Sequence, residues 1–167
     1  NLNQTKKVMS FDFEKDQNQI QELCKNADAL IIPDHPRFLK LAEKFETKVV
    51  IRLSGGLGEW KSLHDLNALG MSQTFKLHEQ DSSHPPYLPF AGISYGQYLA
   101  TSILAGLTHF YKANETVNEV IYLKDVTEKI FNTFYSESFK KMPRQLHNGA
   151  FIAYSLYKTK DKKTLCL

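Results

Sequence analysis

Cysteine is scarce: Cys24 and Cys166 are the only two in 167 residues, and their spacing matches no metal-ligand pattern. Such usage fits a reduced, cytoplasmic setting. No apolar run approaches the ~20 residues that a membrane helix needs, and no secretory signal is visible, so no membrane span is expected. A dense basic block is also missing. The formal net charge is only +3 and the lysines are spread along the chain, which argues against a nucleic-acid partner. There is no Gly-x-Ser-x-Gly elbow, no P-loop and no Gly-x-Gly-x-x-Gly run, so a serine hydrolase or a simple nucleotide loop is not expected. His78, His84, His109 and His147 lack ligand spacing, and no metal site is expected. No internal repeat is present.

What remains is the composition of a globular protein, 42% hydrophobic and 23% charged. Met9, Phe11 and Phe13 alternate, predicting a strand over 6–13. Residues 16–26 form a predicted helix with Ile20, Leu23, Cys24 and Ala27 on one face, which makes Cys24 a core residue. A second strand is predicted over 28–32. Pro36 suits a first helical position, and Phe38, Leu41, Ala42 and Phe45 fall on one side of the helix behind it. A third strand covers 48–53. Strand, helix, strand, helix, strand implies a parallel sheet with right-handed crossovers, which binds ligands beyond the carboxyl ends of its strands. Residues 80–89 are polar and proline-rich and read as a linker. A long helix follows over 93–111, with Gly92, Gly96, Ala100, Ala105 and Gly106 letting another element pack close. A strand over 117–123, a helix over 125–141 and a hairpin over 151–167 complete the pattern. The hairpin carries Tyr154, Leu156 and Tyr157 and turns at 160–163. The chain starts at Asn1 and stops inside Leu165-Cys166-Leu167, so a piece of something longer is expected.

The stretch from Arg52 to Asn67 concentrates the chemistry. The buried run Val49-Val50-Ile51 leads into Gly55, Gly56 and Gly58, which allow a tight turn and close approach. Ser62 and Asp65 have capping-box spacing, predicting a helix from Ser62 with His64 and Asp65 in its first turn. There the helix dipole favours a neutral imidazole, as a general base requires. His64 also reads as a partly exposed first-turn residue, and Asp65 as a cap partner or as the group that orients His64. His35 and Arg37 stand at a strand end, either facing an anion or forming a solvated basic surface. Lys6 and Lys7 read by themselves as an ordinary strand edge. Trp60, Tyr95 and Tyr98 are pocket or packing residues.

Several segments, in order, resemble the family III CoA-transferases, and within them the α-methylacyl-CoA racemase branch. Asn3-Gln4-Thr5-Lys6-Lys7 before Phe11-Asp12-Phe13 looks like Asn-Arg-Gly-Lys-Arg and its strand. Ala27 to Ile31 with His35-Pro36 is similar to the strand ending in Asn-Phe-Arg-Pro. Arg52-Leu53-Ser54-Gly55 through Gly58 is similar to Arg-Leu-Thr-Gly-Phe-Gly. His64-Asp65-Leu66-Asn67 is similar to Gly-His-Asp-Ile-Asn, and Ile103 to Leu107 to Ile-Leu-Ala-Ala-Leu. Tyr154 to Lys163 looks like Tyr-x-Val-Tyr-x-Thr-x-Asp-Gly-Lys. The resemblance implies an α/β fold, a Rossmann-like open parallel sheet plus a smaller helix and hairpin part. It implies a CoA thioester as substrate, with no permanently bound cofactor, and an interlocked homodimer. It places Lys6, Lys7, His35, Gly55 and Gly58 at the CoA and His64 with Asp65 at the reacting carbon. On this basis 1–79 is a CoA-binding part, 80–91 a linker, 92–141 a helical part and 142–167 the start of a small domain.

The departures are equally specific. The family's catalytic aspartate precedes the long small-residue helix, where this chain has Ala91-Gly92. No acidic residue occurs between Asp81 and Glu115. Pro33-Asp34 replaces Asn-Phe, and Gln4 replaces the first arginine. Three readings stay open: an acyl-CoA enzyme using α-proton chemistry, a CoA-binding relative without catalysis, and an interaction domain that kept only the fold.

Overall fold

The structure, a computed structural model, describes residues 4–72, 88–132 and 156–166. Helix α1 is Gln17–Lys25, strand β1 Ala29–Pro33, helix α2 Pro36–Ala42 and strand β2 Val49–Ser54. A 3-10 turn at Gly58–Ser62 precedes helix α3, Asp65–Met71. Helix α4 is Phe90–Ala113, strand β3 Val117–Tyr122 and helix α5 Leu123–Asn132. Strands β4, Leu156–Lys158, and β5, Thr164–Cys166, follow. The molecule is mixed α/β, and its chain divides into two compact units. One comprises the chain up to Ser54 with Gly96–Tyr122; the other comprises Gly55–Tyr95 with the chain from Leu123 onward.

In the first unit β1, β2 and β3 form a parallel sheet with β2 in the middle. Ile31 lies opposite Ile51, and Ile51 opposite Glu119. Val49, Val50 and Ile51 are all buried, so β2 is covered on both faces, as a central parallel strand must be. Alternation sends Val50 to one face, where it clusters with Ile32 and Ala42 under Phe38 and Leu39. Val49 meets α4, whose Gly106 sits so close that an added Cβ would stand 3.0 Å from a Val49 methyl. The expected close packing of the small-residue helix is therefore realised at Gly106. Gly96, by contrast, has nothing within 4 Å of such a Cβ. His35 caps α2 and Pro36 takes its first position, as the sequence predicts.

Residues 6–13 are not a strand. Val8 is 82% exposed and Met9 54% exposed, and the segment is irregular. Its end is set by a local turn: Asp12 accepts the N–H groups of Glu14 at 3.0 Å and Lys15 at 3.2 Å. The Asp16 carboxylate in turn accepts the Asp12 N–H at 2.8 Å. These short-range bonds commit the backbone before any strand partner can be found. Helix α1 has no buried residue; Leu23 is 49% exposed and Cys24 is half-buried. Cys24 is therefore not the core residue expected, although burial pushes its thiol pKa up.

The bonds from Glu14, Lys15 and the Lys15 ammonium hold the Asp12 carboxyl below its usual value. A depressed carboxyl stabilises the turn above the unfolded pKa of about 4 and stops doing so as pH falls through the folded value. The protection of the Glu14 and Lys15 amides, meaning their exchange corrected for its intrinsic pH dependence, is therefore expected to stay constant from neutral pH down to about 4 and to fall below it. Protection already lost near neutral pH would contradict this assignment.

In the second unit α3 and α5 pack together, with Ala68, Leu69, Ala91 and Leu123 buried and Phe90 and Tyr95 against them. The hairpin of β4 and β5 is antiparallel, with Lys162 at φ 65° in its turn. Tyr154, residues 80–87 of the linker and residues 133–141 of the predicted helix lie outside the described residues. Among the described residues no helix is long and apolar enough to cross a membrane.

Candidate functional site

The loop after β2 closes on itself. The Gly55 N–H donates to the Lys61 carbonyl at 3.0 Å, and the Gly55 carbonyl accepts the Lys124 N–H at 3.0 Å. Gly58 has φ +57°, a conformation that costs an L-residue about 1–2 kcal/mol, and this is where glycine is required. Residues 58–62 then form the 3-10 turn, and the helix begins later than its Ser62 pattern suggests. His64 is its N-cap. The cap pair is His64 with Asn67, whose Oδ1 accepts the His64 N–H at 3.2 Å. The Ser62–Asp65 capping box is not formed, because Ser62 is spent in the preceding turn.

His64 is exposed, while Asp65 is the first residue of α3 and half-buried. Its Oδ1 accepts the Gly92 N–H at 2.6 Å. Gly92 belongs to the first turn of α4, so Asp65 caps a helix other than its own. The cause lies in the sequence. Pro89 precedes α4 and offers no side-chain acceptor, and first-turn N–H groups have no partner within their helix. A carboxylate at that end also meets the positive pole of α4. This role for Asp65 was missed by reading its spacing only against Ser62; the proline before a long helix was the available signal. Asp65→Ala is expected to lower stability by about 1–2 kcal/mol, and Asp65→Asn by less, because the amide oxygen still accepts. Chemical denaturation of the two variants measures the difference, and equal losses would refute the capping role.

Alanine and glycine leave positions 91 and 92 with no titratable group. Ala91 is fully buried, and a Cβ on Gly92 would lie 3.4 Å from Asp65 Oδ1. The structure thus brings His64, Asp65, Gly55, Gly58 and the Ala91-Gly92 pair into one unit. His35, Lys6 and Lys7 belong to the other unit. His35 Nδ1 accepts the Arg37 N–H at 3.2 Å, which fixes the ring as the α2 cap. Lys6 and Lys7 are exposed on the irregular segment before Asp12. At the strand ends Asp34 and Arg52 form a half-buried pair at 3.3 Å, and the Arg52 Nε is buried with no hydrogen-bond partner among the described residues. Among those residues no group of three or more His, Cys, Asp or Glu could hold a metal ion. His109 instead pairs with Glu115 at 3.2 Å; His78, His84 and His147 lie outside the described residues, as does the Trp60 side chain.

No family model matches the chain, and no curated protein matches it. Solved structures do. The crystal structure of Rv3272, a hypothetical protein from Mycobacterium tuberculosis, superposes with a TM-score of 0.65 at 19% identity. That match covers 77% of this chain and 41% of the other. Its orthorhombic form gives 0.61 at 18% identity over 82% of this chain and 43% of the other. An aspartate-to-alanine mutant of Rv3272 gives 0.56 at 17%, covering 77% and 40%. At these identities the likeness shows a shared α/β fold. This chain spans about two fifths of the length of those proteins.

Proposed function

We propose that this chain is part of a CoA-thioester enzyme of the family III CoA-transferase type. Within that type it is nearest to the α-methylacyl-CoA racemases, works as a cytoplasmic homodimer and uses His64 as its base. The observation that carries the reading is the placement of an exposed His64 at a helix start, next to an Asp65 anchored on the backbone of Gly92. His64 takes the α-proton, and the electron pair left on carbon passes into the thioester carbonyl to give an enolate. Because Ala91 and Gly92 offer no second base, the proton returns to the face it left. Exchange of the α-hydrogen should therefore outrun inversion of the α-carbon.

A second reading, a CoA-binding relative without catalysis, is favoured by the Asp65–Gly92 bond: the nearest carboxylate is occupied as a cap. Calorimetric titration of the folded chain with acetyl-CoA, followed by α-deuterium exchange in heavy water, separates the two. Binding with exchange supports the enzyme. Binding without exchange supports the inactive relative. Absence of binding by a folded chain overturns both.

A further inference from the structure

A groove of about 440 Å³ lies between the start of α1 and the side of α2 in the first unit. Phe13, Pro36 and Leu41 give it an apolar floor, and Arg37, Lys40 and Lys44 supply its charge; no carboxylate lines it. The three cations are spaced three and four residues apart. The Lys44 N–H still bonds the Leu41 carbonyl at 3.1 Å, so the helical turn continues and all three share one face. Like charges at this spacing repel one another.

The surrounding acids act on Arg37, whose charge also reaches Asp12, and leave the two lysines without an ion pair among the described residues. Glu14 approaches Arg37 only at 3.6 Å and is itself 86% exposed. Glu22 and Glu46 line a neighbouring groove that shares Lys44. Lys40 forms no ion pair among the described residues. Arg37 is held in place, its guanidinium 4.1 Å from the Phe13 ring centre, and Phe13 is braced edge-on by Phe38 at 5.1 Å. The groove therefore has one ordered guanidinium, two spare ammonium groups and an apolar base. Its volume falls in the ordinary range for small-molecule clefts of roughly 300–1,000 Å³.

We infer that this groove binds a phosphomonoester carried on an apolar body. A phosphomonoester brings nearly two negative charges and three acceptor oxygens, which suits one guanidinium fork and two ammonium groups better than a single carboxylate does. The apolar body covers Phe13 and Leu41. The same chemistry could arrive in solution or as an anionic lipid headgroup. The groove includes none of His35, Lys6, Lys7, Gly55, Gly58 or His64. Because coenzyme A itself carries a 3′-phosphomonoester, unchanged acetyl-CoA binding by the Lys40→Gln/Lys44→Gln variant is what separates this groove from the acyl-CoA reading.

The test is titration of the full chain, observed by amide chemical shifts, with phenyl phosphate and with inorganic phosphate. Saturable shifts across 37–44 are expected, with phenyl phosphate binding about tenfold more tightly. The exposed double variant Lys40→Gln/Lys44→Gln should weaken phenyl phosphate binding tenfold or more without altering the fold. Phosphatidylcholine vesicles with and without phosphatidic acid identify the source. Sedimentation with the acidic vesicles alone, lost in the double variant, supports the headgroup. Response to phenyl phosphate without vesicle binding supports a soluble ligand. Unsaturable shifts with no vesicle binding, or equal affinity in wild type and double variant, would overturn the inference.

Discussion

His64→Ala is expected to lower α-hydrogen exchange of an acyl-CoA by about 10²- to 10⁴-fold, the usual contribution of a general base. The variant is a clean test because of how His64 sits. Its side chain is exposed, and the Asn67 Oδ1 bonds the His64 backbone N–H, which alanine keeps; only the ring's half of the capping box, on the Asn67 N–H, is removed. Helix α3 should therefore start at the same place, and the loss should appear in kcat with the fold intact. His64→Gln controls for the loss of ring volume and polarity, and should be as inactive as alanine. If exchange is unchanged in a folded His64→Ala protein, His64 is not the base. Inversion supplies the second readout. With one base, exchange without racemisation is expected in wild type, whereas inversion matching exchange would require an acid from another segment or subunit.

The parts of this architecture that could be read from sequence are those where local pattern and tertiary structure agree. The branched run at Val49 to Ile51 became the central strand, since such residues suit burial on both faces. His35-Pro36 began a helix because a cap and a first-position proline both act within one turn. Alternation at Met9, Phe11 and Phe13 failed because period two describes a face only where a neighbouring strand exists. Asp12 and Asp16 instead drew the backbone into a turn. The start of α3 failed for a similar reason, as Gly58 and the 3-10 turn consumed Ser62. At the candidate site, His64 and Asp65 could be singled out, but the Asp65–Gly92 bond spans 27 residues and no local spacing encodes it. The same holds for the α1–α2 groove, where Phe13 meets Arg37 across 24 positions of sequence.

Gly106→Leu is expected to cost about 3 kcal/mol, at the upper end for overpacking a filled core. Two terms compete at this position. Replacing a helix-interior glycine removes its excess freedom in the unfolded chain and gains about 0.5–1 kcal/mol. Against that, the first added carbon already meets two Val49 methyls at 3.0 and 3.1 Å and Val117 Cβ at 3.6 Å. Val49 has no exposed surface and is β-branched, so it cannot turn one methyl away without bringing the other in. For Gly106→Ala the contact should outweigh the gain, giving a net loss near 1 kcal/mol. Gly96→Ala, on the same helix with open space around its Cβ, should instead raise stability by about 0.5–1 kcal/mol. The pair shares residue type and helix, so opposite signs would isolate the sheet contact as the cause. A cycle with Val49→Ala completes the argument. The truncation alone opens a cavity under α4, while in combination with Gly106→Ala the new methyl fills part of it, so the double variant should lose less than the two singles together. Urea denaturation of the five variants measures all of these terms, and strict additivity between positions 49 and 106 would show that α4 does not rest on β2 there.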